Sequence, residues 1–172
     1  MIHFLLLISR QGKVRLGKWY STYSQKERAK IIKDVSGMIL GRSSKQCNFL
    51  DFRDQKIVYK RYASLYFAVA IDAEDNELHA MDTVHHFVEC LDRLFGNVCE
   101  LDLIFNFHKA YYILDEVLLG GELQESSKLN VVRTVEAHDE IVEQAKMGLL
   151  DADDPNAGAS GGRPLGGAGG GF

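Results

Sequence analysis

A chain of 172 residues in which 46% are hydrophobic is long enough to bury the core of one domain. Its 20 basic and 24 acidic residues leave a net charge of -4, so the overall charge does not support nucleic-acid binding. The three cysteines are odd in number and lack CxxC spacing, which argues against a disulfide framework and favours a reducing compartment such as the cytosol.

The first apolar run, Phe4 to Ile8, is too short for a signal peptide and follows no basic segment. No stretch approaches the roughly 20 apolar residues of a membrane-spanning helix. We therefore expect that the chain does not enter or cross a membrane by itself.

The first part of the chain predicts a β-hairpin and a helix. Ile2 to Ser9 and Val14 to Tyr20 are strand-like and flank a turn signal at residues 10 to 13. Ser24 and Glu27 form a capping-box pattern before a helix over residues 25 to 40.

Three further strands are predicted next: CNFLDF (47–52), KIVYKRYA (56–63) and LYFAVAID (65–72). The third is almost wholly apolar, which is typical of a central strand covered on both faces.

Helices dominate the remainder. Asp75 or Asn76 is expected to cap a helix that runs to Phe95. Asn97, with Glu100 at the third helical position, is expected to cap one continuous helix to Leu119. A last helix is predicted over residues 127 to 146, with few apolar positions among many charges.

Composition changes at Met147, because both prolines and most of the glycines follow it. Too few apolar side chains remain there to offset the entropy of ordering. The sequence thus predicts a domain over residues 1–146 and a disordered glycine-rich tail over residues 147–172.

The element order predicts an α+β domain with a mostly antiparallel five-stranded sheet between helices. One face is expected to hold the first helix, and the other face the later helices.

Catalysis has little support. Cys99 and His108 are a conceivable nucleophile and base, but nine residues of one helix would set them on opposite sides, about 13 Å apart along its axis. His85 and Glu89 give only a two-ligand face, and adjacent His86 points elsewhere, so no metal site or cofactor is expected. Common phosphate-binding and hydrolytic motifs are missing.

Two surface features remain with competing interpretations. Basic residues at strand ends usually protect sheet edges, but Arg15 alternates with apolar neighbours and so points out of the core, where an acidic ligand could reach it. The segment Leu101 to Leu119 is apolar around most of its circumference, which indicates either full burial in a self-sufficient core or a second protein packed on it.

Three long segments resemble the small, or sigma, chain of the heterotetrameric clathrin adaptor complexes: GKVRLGKWY (12–20), NFLDFRDQKIVYKRYASLYFAVAID (48–72) and FVECLDRLFGNVCELDLIFNFHKAYYILDE (87–116). The resemblance runs from Met1 to about Glu143. The opening SRQGKVRLGKWY is most similar to the type-one adaptor of the trans-Golgi network and endosomes.

The resemblance implies a longin-type fold and assembly with a large gamma-type chain, a beta-type chain and a mu chain on the cytoplasmic face of those membranes. It also implies joint binding, with the large chain, of acidic dileucine signals, [DE]xxxL[LI], in cargo tails, and indirect contact with clathrin. The family's leucine-accepting residues and the basic residue near the motif's acidic position match Ala63, Leu65, Val88, Asn97, Val98, Leu103 and, for the basic residue, Arg15.

The predicted elements agree with that assignment, because a strand start, a helix and the next helix start could converge on one cleft. The alternative from another class is a longin-domain, SNARE-like regulator of membrane fusion, which requires a heptad-rich helix and an anchor where this chain has its glycine-rich tail.

Overall fold

The computed structural model describes residues 1–152, with side chains to residue 148. Its main sheet has five strands in the order β2-β1-β5-β4-β3. They are β1 (Ile2–Ser9), β2 (Val14–Trp19), β3 (Phe49–Phe52), β4 (Gln55–Tyr62) and β5 (Leu65–Asp72). Every neighbouring pair in this sheet is antiparallel, and β5 is central, which confirms the predicted sheet and its central strand.

The helices are α1 (Gln25–Leu40), α2 (Glu77–Phe95), α3 (Glu100–Phe105), α4 (Phe107–Val117) and α5 (Lys128–Ala152). The predicted capping box of α1 is confirmed: the Glu27 amide donates to Ser24 Oγ at 3.3 Å, and the Ser24 amide donates to Glu27 Oε2 at 2.8 Å. Asn76 caps α2 by accepting from the Leu78 amide at 2.9 Å.

The sheet has two apolar faces because side chains alternate along each strand. On one face, the buried Leu6 and Ile8 pack with Ile31 and Val35 of α1. On the other face, Leu5 and Leu7 belong to the cluster that contains the buried residues of α2, α4 and the start of α5. The predicted helix–sheet–helix arrangement is therefore confirmed.

The segment predicted as one helix to Leu119 is broken in two. Asn106 leaves helical geometry, with φ -122° and ψ 37°, and separates α3 from α4. The Asn106 side chain makes no capping hydrogen bond, but its backbone amide donates to the Asp102 carbonyl at 2.8 Å and its carbonyl accepts from the Ala110 amide at 3.4 Å. Phe107, the first residue of α4, is exposed, whereas Ala110, Ile113, Leu114 and Val117 of the same helix are buried.

A small hairpin after α4 was not predicted. Leu118–Leu119 (β6) pairs with Glu122–Leu123 (β7) across Gly120 and Gly121, which both have positive φ. Two glycines between apolar residues are a recognised hairpin signal. The helical periodicity before them concealed it.

The described residues divide after Val135 into two units. The last helix continues to Ala152, beyond its predicted end at Lys146. Residues 153–172 lie outside the described residues, so the predicted tail stays a prediction there. No helix in the described part of the chain is long and apolar enough to cross a membrane.

Candidate functional site

The turn between α2 and α3 brings several predicted site residues together. Gly96 ends α2 with φ 64°, and Asn97 follows with φ 66°, so two consecutive residues are left-handed. Asp92 fixes this turn, because its Oδ1 accepts from the Val98 amide at 2.9 Å and its carbonyl accepts from the Gly96 amide at 2.8 Å. Chain direction therefore changes within three residues.

The prediction that Asn97 caps the next helix is wrong. The N-cap is Cys99, in extended geometry, and its amide donates to Asp102 Oδ2 at 2.9 Å. Asn97 cannot cap because it is used as a left-handed turn residue, a conformation that asparagine adopts more readily than most residues. Glu100 is consequently the first residue of α3, and its carboxylate is free to meet another element.

Glu100 meets Arg15 of β2. The Arg15 Nε donates to Glu100 Oε1 at 2.7 Å, and the two side chains are 24% and 27% exposed. Arg15 leaves the core as predicted, but simple alternation is not the reason: the β1–β2 register shifts between Val14 and Leu16, which makes Arg15 the unpaired residue of a bulge. Its charge, however, is already paired within the chain.

Two further contacts hold the outer edge of β2 against α4. Tyr111 Oη accepts from the Gly17 amide and donates to the Gly17 carbonyl, at 3.1 Å in each case. Lys18 Nζ lies 2.7 Å from Asp115 Oδ1. An unpaired strand edge can pair with a strand of another molecule, and these contacts protect the edge of β2 from such pairing.

Four of the apolar residues predicted to accept leucines are buried in the same large core cluster. Leu65, Val88, Val98 and Leu103 all belong to the same core cluster and are buried. They come from β5, α2, the turn before α3 and α3, which are the elements that the sequence predicted to contribute. Ala63 lies just before β5 in the exposed turn after β4, with φ 52°.

Open cavities are found elsewhere. Three cavities in the described part of the chain, with volumes of about 170, 340 and 260 Å³, are lined by none of the predicted cargo-binding residues. Since Leu65, Val88, Val98 and Leu103 are at most 8% exposed, a bound leucine side chain would have to displace packed side chains.

Large apolar side chains of α3 and the start of α4 face solvent. We call this group the α3 apolar surface, and it consists of Leu101, Ile104, Phe105 and Phe107, with Phe105 73% exposed and Phe107 55% exposed. Exposed apolar side chains that adjoin one another mark protein interaction sites. The sequence alternative of a helix fully buried in its own core is therefore wrong for α3.

One cysteine lies near a histidine, but the pair is unsuited to catalysis. Cys90 Sγ is 3.9 Å from His86 Nε2, and the same nitrogen lies 3.0 Å from the Glu125 carbonyl. A carbonyl only accepts, so this nitrogen carries the proton and is not a base for the thiol. Cys90 is also fully buried, and burial raises the pKa of its thiol to about 11.

The histidine and carboxylate considered for a metal are otherwise used. Glu89 Oε2 lies 2.6 Å from Lys128 Nζ, and this hydrogen bond is the main reason that the pKa of Glu89 is lowered. His85 Nδ1 is 3.1 Å from the Tyr62 hydroxyl. The described residues contain no group of three or more side chains placed to hold a metal ion.

Sequence reasoning missed the residues that bind the site together. Glu100 was predicted as a capping residue, and neither Asp92 nor Tyr111 was predicted to belong to the site. An acidic residue in the first turn of α3 was visible in the sequence. Its pairing with Arg15 depends on a contact between residues far apart in the chain, which local patterns do not contain.

A helix-covered antiparallel sheet that leaves large apolar side chains in solvent defines a protein-interaction domain. The family model described as "Clathrin adaptor complex small chain" matches residues 1–142. The chain belongs to this family.

Its relatives are subunits of adaptor complexes. The chain is 67% identical to AP-1 complex subunit sigma-2 of Arabidopsis thaliana, over 85% of this chain and 90% of the relative. It is 60% identical to AP-1 complex subunit sigma-2 of Dictyostelium discoideum (82% and 92%) and 54% identical to AP-1 complex subunit sigma-1A of Homo sapiens (84% and 91%). The resemblance to type-one sigma chains is therefore confirmed.

The fold comparison gives the same class. A chain in a homology model of the full-length AP-3 complex in a stretched open conformation superposes with a TM-score of 0.67 at 31% identity, covering 86% of this chain and 99% of that one. The longin-type fold implied by the resemblance is confirmed.

The family decides between the functional alternatives. The chain is a small subunit of an adaptor complex in vesicle-mediated protein transport, and it is not an enzyme. Membership in this family also excludes the alternative of a SNARE-like regulator that acts without adaptor assembly.

Proposed function

We propose that this chain binds acidic dileucine signals of membrane cargo jointly with a large gamma-type adaptin. The observation that carries the proposal is that α3 holds both Leu103, which belongs to the same buried apolar cluster as Leu65, Val88 and Val98, and Glu100, which contacts Arg15. An apolar cluster next to a cation matches a ligand with two leucines and an upstream acidic residue. Ala63, in the turn before β5, and Asn97, in the turn after α2, complete the proposed site.

The α3 apolar surface supports assembly with partner chains. In the proposed complex, the large chain covers Leu101, Phe105 and Phe107, beside a beta-type and a mu chain. The similarity to AP-1 sigma subunits favours the cytoplasmic face of the trans-Golgi network and endosomes, with clathrin and membrane contacted only through the complex.

The energetics favour weak and reversible binding of the dileucine signal. Two buried leucine side chains contribute roughly 1.5 to 3 kcal/mol each, before the entropy of binding is subtracted. Val88 and Leu103 are 3% and 1% exposed, so the cost of separating these packed side chains offsets part of the free energy gained by burying the leucines. Strong attachment to a membrane therefore depends on many cargo tails acting together.

The test measures peptide binding to the reconstituted complex. Leu103→Ser and Val88→Asp are expected to abolish binding of an acidic dileucine peptide in calorimetric titrations. Arg15→Ser should weaken binding less, and its effect should shrink as salt is raised because the lost interaction is ionic. These titrations use only complexes that co-purify with all subunits.

Matched controls separate the site from general damage to the core. Leu91 and Val84 lie on α2, are as buried as the site residues and belong to the same cluster. Leu91→Ser and Val84→Asp should lower the thermal stability of the complex by similar amounts, while the molecules that stay assembled bind the peptide normally. Unchanged peptide affinity in Leu103→Ser and Val88→Asp complexes would remove the site assignment.

A further inference from the structure

Arg15 already has an acidic ligand in the absence of cargo. Its Nε donates to Glu100 Oε1 at 2.7 Å, and both side chains are about three-quarters buried. We propose that Glu100 is an internal competitor: it occupies Arg15 as the acidic residue of a dileucine signal does. Glu100 thereby reduces the contribution of the signal's acidic residue to binding affinity. This inference rests on the proposed function.

The position of Glu100 makes the competition local. It is the first residue of α3, and the buried Leu103 lies on the same short helix. A signal whose leucines reach Leu103 therefore brings its upstream carboxylate to the neighbourhood of the Arg15–Glu100 pair. The cargo carboxylate meets a nearly neutral pair in place of a free cation.

Arginine offers several donors, so the cargo carboxylate has two ways to bind. It can replace Glu100 at Nε, in which case the internal ion pair is lost. It can instead use the other guanidinium nitrogens, in which case two carboxylates share one cation and repel each other. Glu100 opposes the acidic residue in both arrangements, and it leaves the leucines unaffected.

The chain contains a matched control on the same strand. Lys18 and Asp115 form a second ion pair between β2 and α4, with an N–O distance of 2.7 Å. Glu100→Gln and Asp115→Asn remove the same unit of negative charge from this side of the chain. They differ in whether Arg15 or Lys18 loses its partner.

The experiment titrates the assembled complex with two peptides that differ only in having glutamate or glutamine at the acidic position of the signal. Glu100→Gln should bind the glutamate peptide about three- to fivefold more tightly than the wild type, as expected for a partly exposed ion pair. Affinity for the glutamine peptide should not change. Asp115→Asn should change neither affinity by as much as twofold.

A double-mutant cycle tests whether the gain in affinity arises from the Arg15–Glu100 pair. In an Arg15→Gln background, adding Glu100→Gln should no longer favour the glutamate peptide. Raising the salt concentration should reduce the affinity gained through Glu100→Gln. That substitution leaves Arg15 as an unpaired cation, and salt screens its attraction to the peptide.

Several outcomes overturn the proposal. Unchanged or weaker binding of the glutamate peptide means that Glu100 merely positions Arg15. An equal gain for both peptides means that Glu100 acts through the stability of α3, and an equal gain in Asp115→Asn means that only net charge matters. If the wild-type complex binds neither peptide, the proposed function itself fails, which differs from a wild type that binds while Glu100→Gln has no effect.

Discussion

Cys90 shows how burial decides the chemistry of a single residue. It lies on α2 inside the core, and burial raises the pKa of its thiol to about 11. Since the thiolate is the reactive form, this cysteine is unreactive near neutral pH. Cys47 is exposed, in the segment before β3, and is a natural reference within the chain.

We predict that iodoacetamide at pH 8 modifies Cys47 in the assembled complex while Cys90 stays unmodified. Mass spectrometry of peptides from this chain measures both sites. After denaturation Cys90 should react like an ordinary thiol, because the pKa returns to its usual range. Native modification of Cys90 at the rate of Cys47 would contradict its burial.

Ala63 and Asn97 show which residue features a sequence conceals. Both have positive φ, at 52° and 66°, although neither is glycine. Both were predicted as site residues from the resemblance, but their backbone conformations were not predictable, since turns of this kind are fixed by the elements they connect. For the same reason the helix cap was predicted at Asn97, whereas the structure has it at Cys99.

The β6–β7 hairpin is the element that ties α4 to the start of β1. The Ile2 amide donates to the Gly121 carbonyl at 2.9 Å. A Cβ at Gly121 would lie 2.1 Å from the Ile2 carbonyl oxygen, whereas a Cβ at Gly120 would meet nothing within 4 Å. Both glycines have positive φ, so the two positions differ mainly in available space.

We predict that Gly120→Ala costs about 1 kcal/mol, from backbone strain alone. Gly121→Ala should cost about 3 kcal/mol or more, because the backbone at Ile2 must also move. Thermal unfolding of the complex should rank wild type above Gly120→Ala and Gly120→Ala above Gly121→Ala. Equal unfolding temperatures for the two variants would contradict the close approach of the hairpin to β1.

The α3 apolar surface gives a second prediction for an element. Replacing Phe105 and Phe107 by serine should weaken association with the large chain about a hundredfold or more, since each buried aromatic side chain contributes roughly 1.5 to 3 kcal/mol. Leu78, on α2, is 66% exposed and is the control.

The measurement is co-purification of tagged large chain with each variant. Leu78→Ser should be retained like the wild type, and Phe105→Ser/Phe107→Ser should be lost. Full retention of the double variant would show that the partner covers another surface.

Elements were predicted most accurately where periodicity was long and capped. The boundaries of α1 and the central position of β5 followed from the capping box and the apolar run. The break at Asn106 was missed because apolar residues continue at helical spacing on both sides of it. The amphipathic pattern records which side chains are apolar, and it does not separate those covered by the chain from those covered by a partner.

For the whole molecule, the fold followed from element order, because strands with two apolar faces require helices on both sides. The candidate site was predicted only in part. The elements that carry the proposed site were expected from the resemblance and from their order in the chain. The burial of its apolar residues and the Arg15–Glu100 pair, however, depend on contacts between distant residues. Those contacts follow from how the elements pack and are absent from any one segment.

The account as a whole depends on α3 being covered by another chain. Sedimentation velocity tests this most directly, with the chain alone and then with its large partner. We predict concentration-dependent aggregation of the chain alone, because Leu101, Ile104, Phe105 and Phe107 lack a cover within the described residues, and a single species when the large chain is added. A monodisperse monomer of the chain alone, unchanged by adding the large chain, would contradict the account.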